Sequence, residues 1–118
     1  MHNFRKLEIW KQSVKLVTEI YKITNTFPSH ERFGLMSQMQ RAAVSCPSNI
    51  GEGSAKSSDK DFARFLEISH GSLIELENEL IVSHNLGYLD DKKLNDTQNK
   101  IIELQKMIYK FKEQLNKD

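Results

Sequence analysis

Apolar residues recur at alternating three- and four-residue steps in four stretches of this chain, which is the spacing of helices that each bury one stripe. Four such helices with short connections predict an all-α fold, an antiparallel up-down-up-down four-helix bundle. The predicted stripes are Leu7, Trp10, Val14, Val17 and Tyr21; Leu35, Met39, Ala42 or Ala43, Cys46 and Ile50; Phe62, Phe65 or Leu66, Ser69, Leu73, Leu76 and Leu80; and Leu94, Ile101, Ile108 and Leu115 alternating with Thr97, Leu104 and Phe111.

Capping residues predict where these helices begin and end. Ser29 is a candidate N-cap for a second helix that starts near residues 29–31, Asp59 is one for the third, and Asp90 or Asp91 opens the fourth. Gly87 follows the third stripe and is placed to adopt the left-handed conformation that ends many helices.

The two prolines have different predicted roles. Pro28 ends the first helix, which spans about residues 5–25, because proline cannot continue the backbone hydrogen-bond ladder. Pro47 interrupts the second stripe, but the apolar spacing persists on both sides of it. We therefore expect one kinked helix that continues through Ile50, with two shorter helices as the alternative.

The composition agrees with a single domain over residues 1–118. Hydrophobic residues make up 38% and charged residues 28%, while 5 glycines and 2 prolines are too few for a many-stranded β fold. The single Cys46 cannot form an intramolecular disulfide and suits a buried core position, so we expect a cytoplasmic protein. No stretch has the length and apolarity of a membrane span or a leader, so we expect no membrane partner.

Charge is distributed unevenly along the chain. Lys plus Arg minus Asp plus Glu gives +3 for residues 1–25, +1 for 26–58, −6 for 59–91 and +3 for 92–118, which add to the net charge of +1. An acidic third quarter between basic ends favours complementary contacts between helices or subunits over one continuous basic surface.

Enzyme-like patterns are weak in this sequence. Glu67 and His70 form one Glu-x-x-His step, whereas di-iron bundles need two such steps and two further carboxylates. Ser45 and Cys46 have no His within a helical turn, and Gly51-Glu52-Gly53 lacks the Lys-Ser/Thr of a phosphate loop. We therefore predict no catalytic site, no metal and no cofactor.

A polar stripe on the second helix is the first candidate interaction site. It lies on a different face from the apolar stripe, and it faces either water or a partner or pore. Arg41 could pair there with Glu75 or Glu77 of a neighbouring helix. The stripe consists of Gln38, Arg41, Ser45, Asn49 and Glu52.

Basic residues near the N-terminus are the second candidate site. Together with lysines of the fourth helix they are candidate contacts for RNA or DNA, and a balanced net charge predicts that such binding is weak and falls with salt. Phe4 and Trp10 are expected to be core or interface anchors, not stacking platforms for bases. The basic residues are Arg5, Lys6, Lys11, Lys15 and Lys22.

Many spaced residues match one known protein family. Leu7, Trp10 and Tyr21 fit it, and so does a long run that follows: Phe27-Pro28, Glu31, Phe33-Gly34-Leu35, Gln38, Arg41-Ala42-Ala43-Val44-Ser45, Pro47, Asn49-Ile50, Glu52-Gly53, Phe65-Leu66, Gly71-Ser72, Glu75-Leu76-Glu77 and Leu86-Gly87-Tyr88-Leu89. On these residues the chain resembles the 23S rRNA-intervening-sequence proteins, a bacterial four-helix bundle family. Gly51 stands where such proteins often carry Ala, and Cys46 where they often carry Ile.

The resemblance implies a left-handed bundle that assembles as a homopentamer and has no enzymatic activity. The chain also resembles the accessory protein of diversity-generating retroelements, a basic pentamer that binds nucleic acid and a reverse transcriptase, although a net charge of +1 is less basic than that role favours. Two functions follow as hypotheses: an oligomeric scaffold, or a nucleic-acid-binding accessory protein. Apolar residues outside the stripes either supply a subunit interface or widen the core; they include Ile9, Leu16, Ile20, Ile68 and Ile74.

Overall fold

A computed structural model describes residues 1–117 and contains four α-helices, α1 (Glu8–Thr24), α2 (Leu35–Ser54), α3 (Asp59–Asn85) and α4 (Asp91–Leu115). Short 3-10 helices at Phe4–Lys6 and Ser29–Glu31 precede α1 and α2. The helices pack side by side into an elongated body of 46 × 24 × 20 Å. This confirms the predicted all-α four-helix bundle.

Hydrogen bonds between helices establish the antiparallel order. On the α2–α3 side, Ser69 Oγ donates to the Cys46 carbonyl at 2.9 Å, and Ser72 Oγ lies 2.8 Å from Ser45 Oγ. On the α1–α4 side, Lys100 Nζ donates to both carboxylate oxygens of Glu19 at 2.8 Å. Residue numbers rise along one helix of each pair as they fall along the other, as the up-down-up-down arrangement requires.

The core confirms the predicted stripes of α2, α3 and α4. Long apolar side chains at heptad-like spacing are fully buried between the four helices, and burial of this kind is the main contribution to folding stability. Cys46 is buried as predicted. The largest fully buried apolar side chains are Ile20, Met39, Ile50, Phe62, Leu66, Leu73, Leu76, Leu80, Ile101 and Ile108.

The predicted stripe of α1 is correct in part: Leu7, Trp10 and Val17 pack against the core, but Val14 and Tyr21 do not. Val14 and Tyr21 are 38% and 40% exposed, while Ile9, Leu16 and Ile20 are buried. Both sets recur at helical spacing, so the helix has two apolar stripes about a third of a turn apart, and only contact with α2 and α4 decides which one enters the core. Three of the residues placed outside the stripes by the sequence analysis are thus core residues.

Two predicted helix starts need correction. A 3-10 helix occupies Ser29–Glu31, and α2 begins only at Leu35, where the Glu31 carboxylate accepts the Leu35 backbone N–H at 3.1 Å. The N-cap of α3 is Ser58, whose hydroxyl accepts the Asp61 N–H at 3.1 Å. The capping side chain of α3 is one residue before the predicted Asp59. For α2, the side chain that accepts the first N–H is two residues after the predicted Ser29.

α1 begins at Glu8, three residues after its predicted start near residue 5. The predicted continuation of α2 past Pro47, the end of α3 before Gly87 and the start of α4 at its N-cap Asp90 are confirmed. Pro47 lies inside α2, which continues without a break to Ser54. Gly87 has φ of +85° just past the end of α3, and the Tyr88 N–H donates back to the Ser83 carbonyl at 3.0 Å. Asp90 caps α4 by accepting the Lys93 N–H at 2.8 Å.

Gly53 lets α2 and α3 approach each other closely. A Cβ at this position would lie 2.6 Å from Phe65 Cβ and 2.8 Å from Phe62 Cδ1, both shorter than real contacts. The lack of a Cβ at residue 53 is therefore what this close helix contact requires. None of the helices within residues 1–117 is long and apolar enough to cross a membrane.

Candidate functional site: two interaction surfaces

The outward side of α2 has two charged residues, Arg41 and Glu52, with an uncharged stretch between them. We call this surface the α2 outer face; Val44, at its centre, is 40% exposed. The whole helix has only two charged residues among 20, whereas α4 has ten among 25. The α2 outer face consists of Gln38, Arg41, Val44, Ser45, Ser48, Asn49 and Glu52.

All five residues of the predicted polar stripe lie on the α2 outer face. Gln38, Arg41 and Glu52 are exposed, while Ser45 and Asn49 are half-buried toward α3. The Asn49 amide donates to the Ser45 carbonyl at 2.8 Å and lies 3.0 Å from its hydroxyl. The half of the stripe next to α3 is therefore fixed by hydrogen bonds, and the other half is free to bind a partner.

The predicted pairing of Arg41 with Glu75 or Glu77 does not form within this chain. Arg41 makes no ion pair or hydrogen bond with residues 1–117. Glu77 lies on the other side of α3, where it accepts from the Gln98 amide at 2.9 Å and the Gln105 amide at 3.3 Å. Sequence spacing places both glutamates on α3 but does not show that Glu77 faces α4.

Glu79 is a buried carboxylate close to the α2 outer face. It is 8% exposed, and its Oε1 has no hydrogen-bond partner among the described residues. Burial and the nearby Glu75 carboxylate raise the pKa of Glu79 to about 7. The register that joins Ser45 to Ser72 places Glu75 and Glu79 near the level of Arg41.

Exposed apolar side chains flank the α2 outer face on both neighbouring helices. On the α1 side, the Phe4 and Trp10 rings meet edge to face at 5.0 Å and line a cavity of about 450 Å³ with Val14 and Pro47. Tyr21 continues this edge along α1. On the α3 side, three exposed apolar residues share one helix face: Ile68, Val82 and Leu86.

A groove separates α1 from α4, and we call it the α1–α4 groove. Two cavities of about 600 Å³ and 320 Å³ lie along it and share Lys15 and Glu19. The ion pair between Glu19 and Lys100 crosses the groove between the cavities. Leu16, Leu104 and Met107 line the smaller cavity, and Ile23 and Leu89 line the larger.

The groove gathers two of the five predicted nucleic-acid contacts. Lys15 and Lys22 line the larger cavity, together with Lys93 from α4. Lys11 is exposed on α1 outside the lining of both cavities. Arg5 and Lys6 lie in the 3-10 helix before α1, and the Arg5 guanidinium covers the Phe4 ring at 4.6 Å. The five basic residues therefore do not form one surface.

Lys93 and Lys100 are groove lysines that the sequence analysis included only as lysines of the fourth helix, without their numbers. A signal for them exists, since they lie seven residues apart and adjoin Thr97 and Leu104, which belong to the α4 apolar stripe. This spacing puts them at the edge of the buried stripe. Which edge faces α1 depends on the rotation of α4 in the bundle, which its sequence alone does not determine.

Cys46 is buried, and His84 and Glu67 are paired with other side chains. Burial raises the pKa of the Cys46 thiol to about 12, so the reactive thiolate does not form near neutral pH. His84 lies 2.6 Å from Asp91, and Glu67 pairs with Lys112 at 3.6 Å instead of approaching a metal site. Within residues 1–117 no three His, Cys, Asp or Glu side chains are grouped to hold a metal ion.

Comparisons with known proteins agree with this fold. A solved structure of a protein of unknown function, from the S23 ribosomal protein family of Bacteroides thetaiotaomicron, superposes with a TM-score of 0.78 at 22% identity, covering 87% of this chain and 96% of that one. At this identity the similarity shows the fold alone. No curated protein matches the chain. The family model of the 23S rRNA-intervening sequence protein matches residues 5–110, and the chain therefore belongs to that family.

Proposed function

We propose that this protein is a non-enzymatic scaffold that assembles into a closed ring of identical subunits, with the α2 outer face covered by a second copy. The uncharged centre of that face, which lies between Arg41 and Glu52, carries the proposal. Charged residues make up 28% of the chain, but only two of the 20 residues of α2 are charged. Depletion of charge is typical of the centre of subunit interfaces.

The flanks of the α2 outer face supply apolar area for such a contact. Exposed Val14 and Tyr21 on one side and Ile68, Val82 and Leu86 on the other extend the weakly polar surface across three helices. Scattered exposed apolar residues need no explanation, but a set of them on both sides of an uncharged stretch of helix favours association.

Unpaired charges at the same surface favour a second copy as the occupant. Arg41 is free within the described chain, and Glu79 is buried with an unpaired oxygen beside Glu75. Burying a carboxylate without a partner is unfavourable, and an arginine from another subunit would supply the missing donors. Arg41 lies on α2 and Glu79 on α3, so Arg41 of one copy can meet Glu79 of the next.

Ring closure requires a heterologous contact, in which two different patches of the subunit meet. When one patch meets a different patch of the next copy, a fixed rotation between subunits closes a ring. The −6 of residues 59–91 and the +3 at each end of the chain provide such unlike patches. The number five rests on the family resemblance, and a tetramer or hexamer would correct only the stoichiometry.

Light scattering coupled to gel filtration tests the ring. We expect a closed oligomer across micromolar concentrations, and a monomer in the Val44→Glu variant, because a charge would then lie in the centre of the contact. Tyr109→Glu is the matched control: Tyr109 is also exposed but lies on α4, away from the α2 outer face. A monomeric wild type, or equal loss of assembly in both variants, contradicts the proposal.

Nucleic-acid binding is the second candidate function, and one observation favours it: Lys15, Lys22 and Lys93 meet in one groove. Glu19, Asp90 and Glu103 line the same groove and repel phosphates. We therefore expect weak, sequence-independent binding that is lost as salt rises. Fluorescence anisotropy with a labelled RNA at low and physiological salt checks this, since tight binding at physiological salt would contradict it.

A further inference from the structure

The α1–α4 groove is open along one side of the bundle, and no helix among residues 1–117 fills it. α1 packs much more closely against α2 than against α4. The lining of the two cavities begins at Gln12 on α1 and reaches Thr26. At the rise of an α-helix this length is about 21 Å, which matches a helix of about 14 residues.

The floor and rim of the groove differ chemically. Leu16, Ile23, Leu89, Leu104 and Met107 form an apolar floor. Lysines from both helices form the rim, namely Lys15 and Lys22 on α1 and Lys93 and Lys100 on α4. An apolar floor between charged edges is the geometry in which grooves receive one face of an amphipathic helix.

The groove lining has four lysines and three acidic residues, Glu19, Asp90 and Glu103, so its formal net charge is +1. The Lys100 ammonium pairs with Glu19, and the Asp90 carboxylate caps α4. Lys15, Lys22 and Lys93 have no acidic partner within 4.0 Å among residues 1–117. A ligand with carboxylates at its edges therefore complements the rim.

We propose that the α1–α4 groove binds an acidic amphipathic helix of a partner protein. Its apolar face lies on the floor, and its Glu and Asp side chains meet the rim lysines. A nucleic acid suits the groove less well, because phosphates gain nothing from an apolar floor. The site is separate from the proposed ring contact, since none of its lining residues belongs to the α2 outer face.

The exposed ion pair between Lys100 and Glu19 can be exchanged when a ligand enters the groove. Such surface pairs contribute little to stability, so a carboxylate of the incoming helix can replace Glu19 at the Lys100 ammonium. Glu19→Gln removes the competing carboxylate and frees Lys100. We expect this variant to bind the acidic helix about threefold more tightly.

Anisotropy with designed helical peptides tests the proposal. The first peptide, of about 14 residues, has leucines on one face and glutamates on the other. The second replaces glutamate by lysine, and the third replaces leucine by serine. We expect saturable binding of the first peptide only, because both the apolar floor and the basic rim are required.

Paired charge reversals locate the binding. Lys15→Glu with Lys22→Glu should weaken binding about tenfold or more, while the matched variant Lys106→Glu with Lys110→Glu, on α4 outside the groove, should stay within about twofold. No saturable binding of the acidic peptide, equal losses in the two variants, or displacement of the peptide by RNA at physiological salt would overturn the proposal. Loss of assembly in the first variant alone would overturn it too, because a second copy would then occupy the groove.

Discussion

The α2–α3 and α1–α4 contacts join neighbouring antiparallel helices but are packed in opposite ways. Between α2 and α3, Gly53 leaves room for the Phe62 ring and Phe65 Cβ, and the hydroxyls of Ser69 and Ser72 form hydrogen bonds to α2 at 2.8–2.9 Å. Between α1 and α4, two cavities remain and an exposed ion pair spans the gap.

The difference follows from side-chain size and charge along each contact. Glycine, alanine and serine let helix axes approach, so large side chains on the partner interlock with them. Lysine and glutamate must keep their charged ends in water, which holds α1 and α4 apart. Stability is therefore concentrated between α2 and α3, while the surface open to a ligand lies between α1 and α4.

The largest expected effect is a loss of stability in Gly53→Ala. The added methyl would lie 2.6 Å from Phe65 Cβ, so α2 and α3 must separate, which should lower the free energy of unfolding by about 2 kcal/mol despite the better helix propensity of alanine. Urea denaturation followed by circular dichroism measures the change.

Gly71→Ala is the matched control for this effect. Gly71 lies inside α3 with nothing within 4 Å of an added Cβ, so alanine should stabilise the helix by about 0.5–1 kcal/mol. Opposite signs for the two glycines would confirm that close packing, not helix propensity, governs the α2–α3 contact. A neutral Gly53→Ala would remove the distinction between the two contacts.

An intermediate effect is expected at Glu79. Its raised pKa means that between pH 4.5 and about 7 the folded protein keeps a proton that the unfolded chain loses, so the free energy of unfolding falls as pH rises through this window. We expect this fall in the free energy of unfolding to be roughly 1 kcal/mol, because solvent screening reduces the full effect of the pKa shift. The Glu79→Gln variant should not show it.

Denaturation at the two ends of that window checks the Glu79 prediction. The wild type should be less stable near pH 8 than near pH 4.5 by more than the variant is. Glu75→Gln serves as a comparison, since it removes only the neighbouring charge and should give a smaller change in the same direction. Identical pH profiles for wild type and Glu79→Gln would show that the carboxylate is already paired, by Arg41 of a second copy or otherwise.

The smallest expected effect is at the ion pair across the α1–α4 groove. Lys100→Gln should change the free energy of unfolding by less than about 0.5 kcal/mol, because the pair is exposed. Lys106→Gln, an exposed residue of the same helix without an ion pair in the described chain, is the reference. A loss above about 1 kcal/mol would mean that α1 and α4 are held more firmly than the cavities suggest.

Sequence reasoning succeeded where one apolar stripe dominates a helix. α2, α3 and α4 each have a single such stripe, and all three were assigned correctly. α1 has two, and the predicted one, which contains Trp10 and Tyr21, lies at the edge of the core, because periodicity gives the spacing of a stripe but not its direction. The caps at Ser58 and Glu31 were missed because several adjacent polar residues could each cap the same helix.

The candidate surfaces were predictable in part. The polar stripe of α2 lies on one surface as predicted, because residues three and four apart share a helix face. Of the predicted basic residues, Lys15 and Lys22 lie in the α1–α4 groove, whereas Arg5 and Lys6 lie outside it because they precede α1. The partners of Lys15 on α4, and the side of α3 that Glu77 faces, depend on how the helices are rotated, which is set by packing.

The ion pair between Glu19 and Lys100 joins residues that are 81 positions apart along the chain. Bringing the first and last helices together closes the longest loop in the molecule, and that closure costs chain entropy while the loose contact returns little. During synthesis α1, α2 and α3 emerge and can pack before α4 exists. We therefore expect amide protons of α4 to exchange with solvent ahead of those of α2 and α3, through partial openings that detach the last helix.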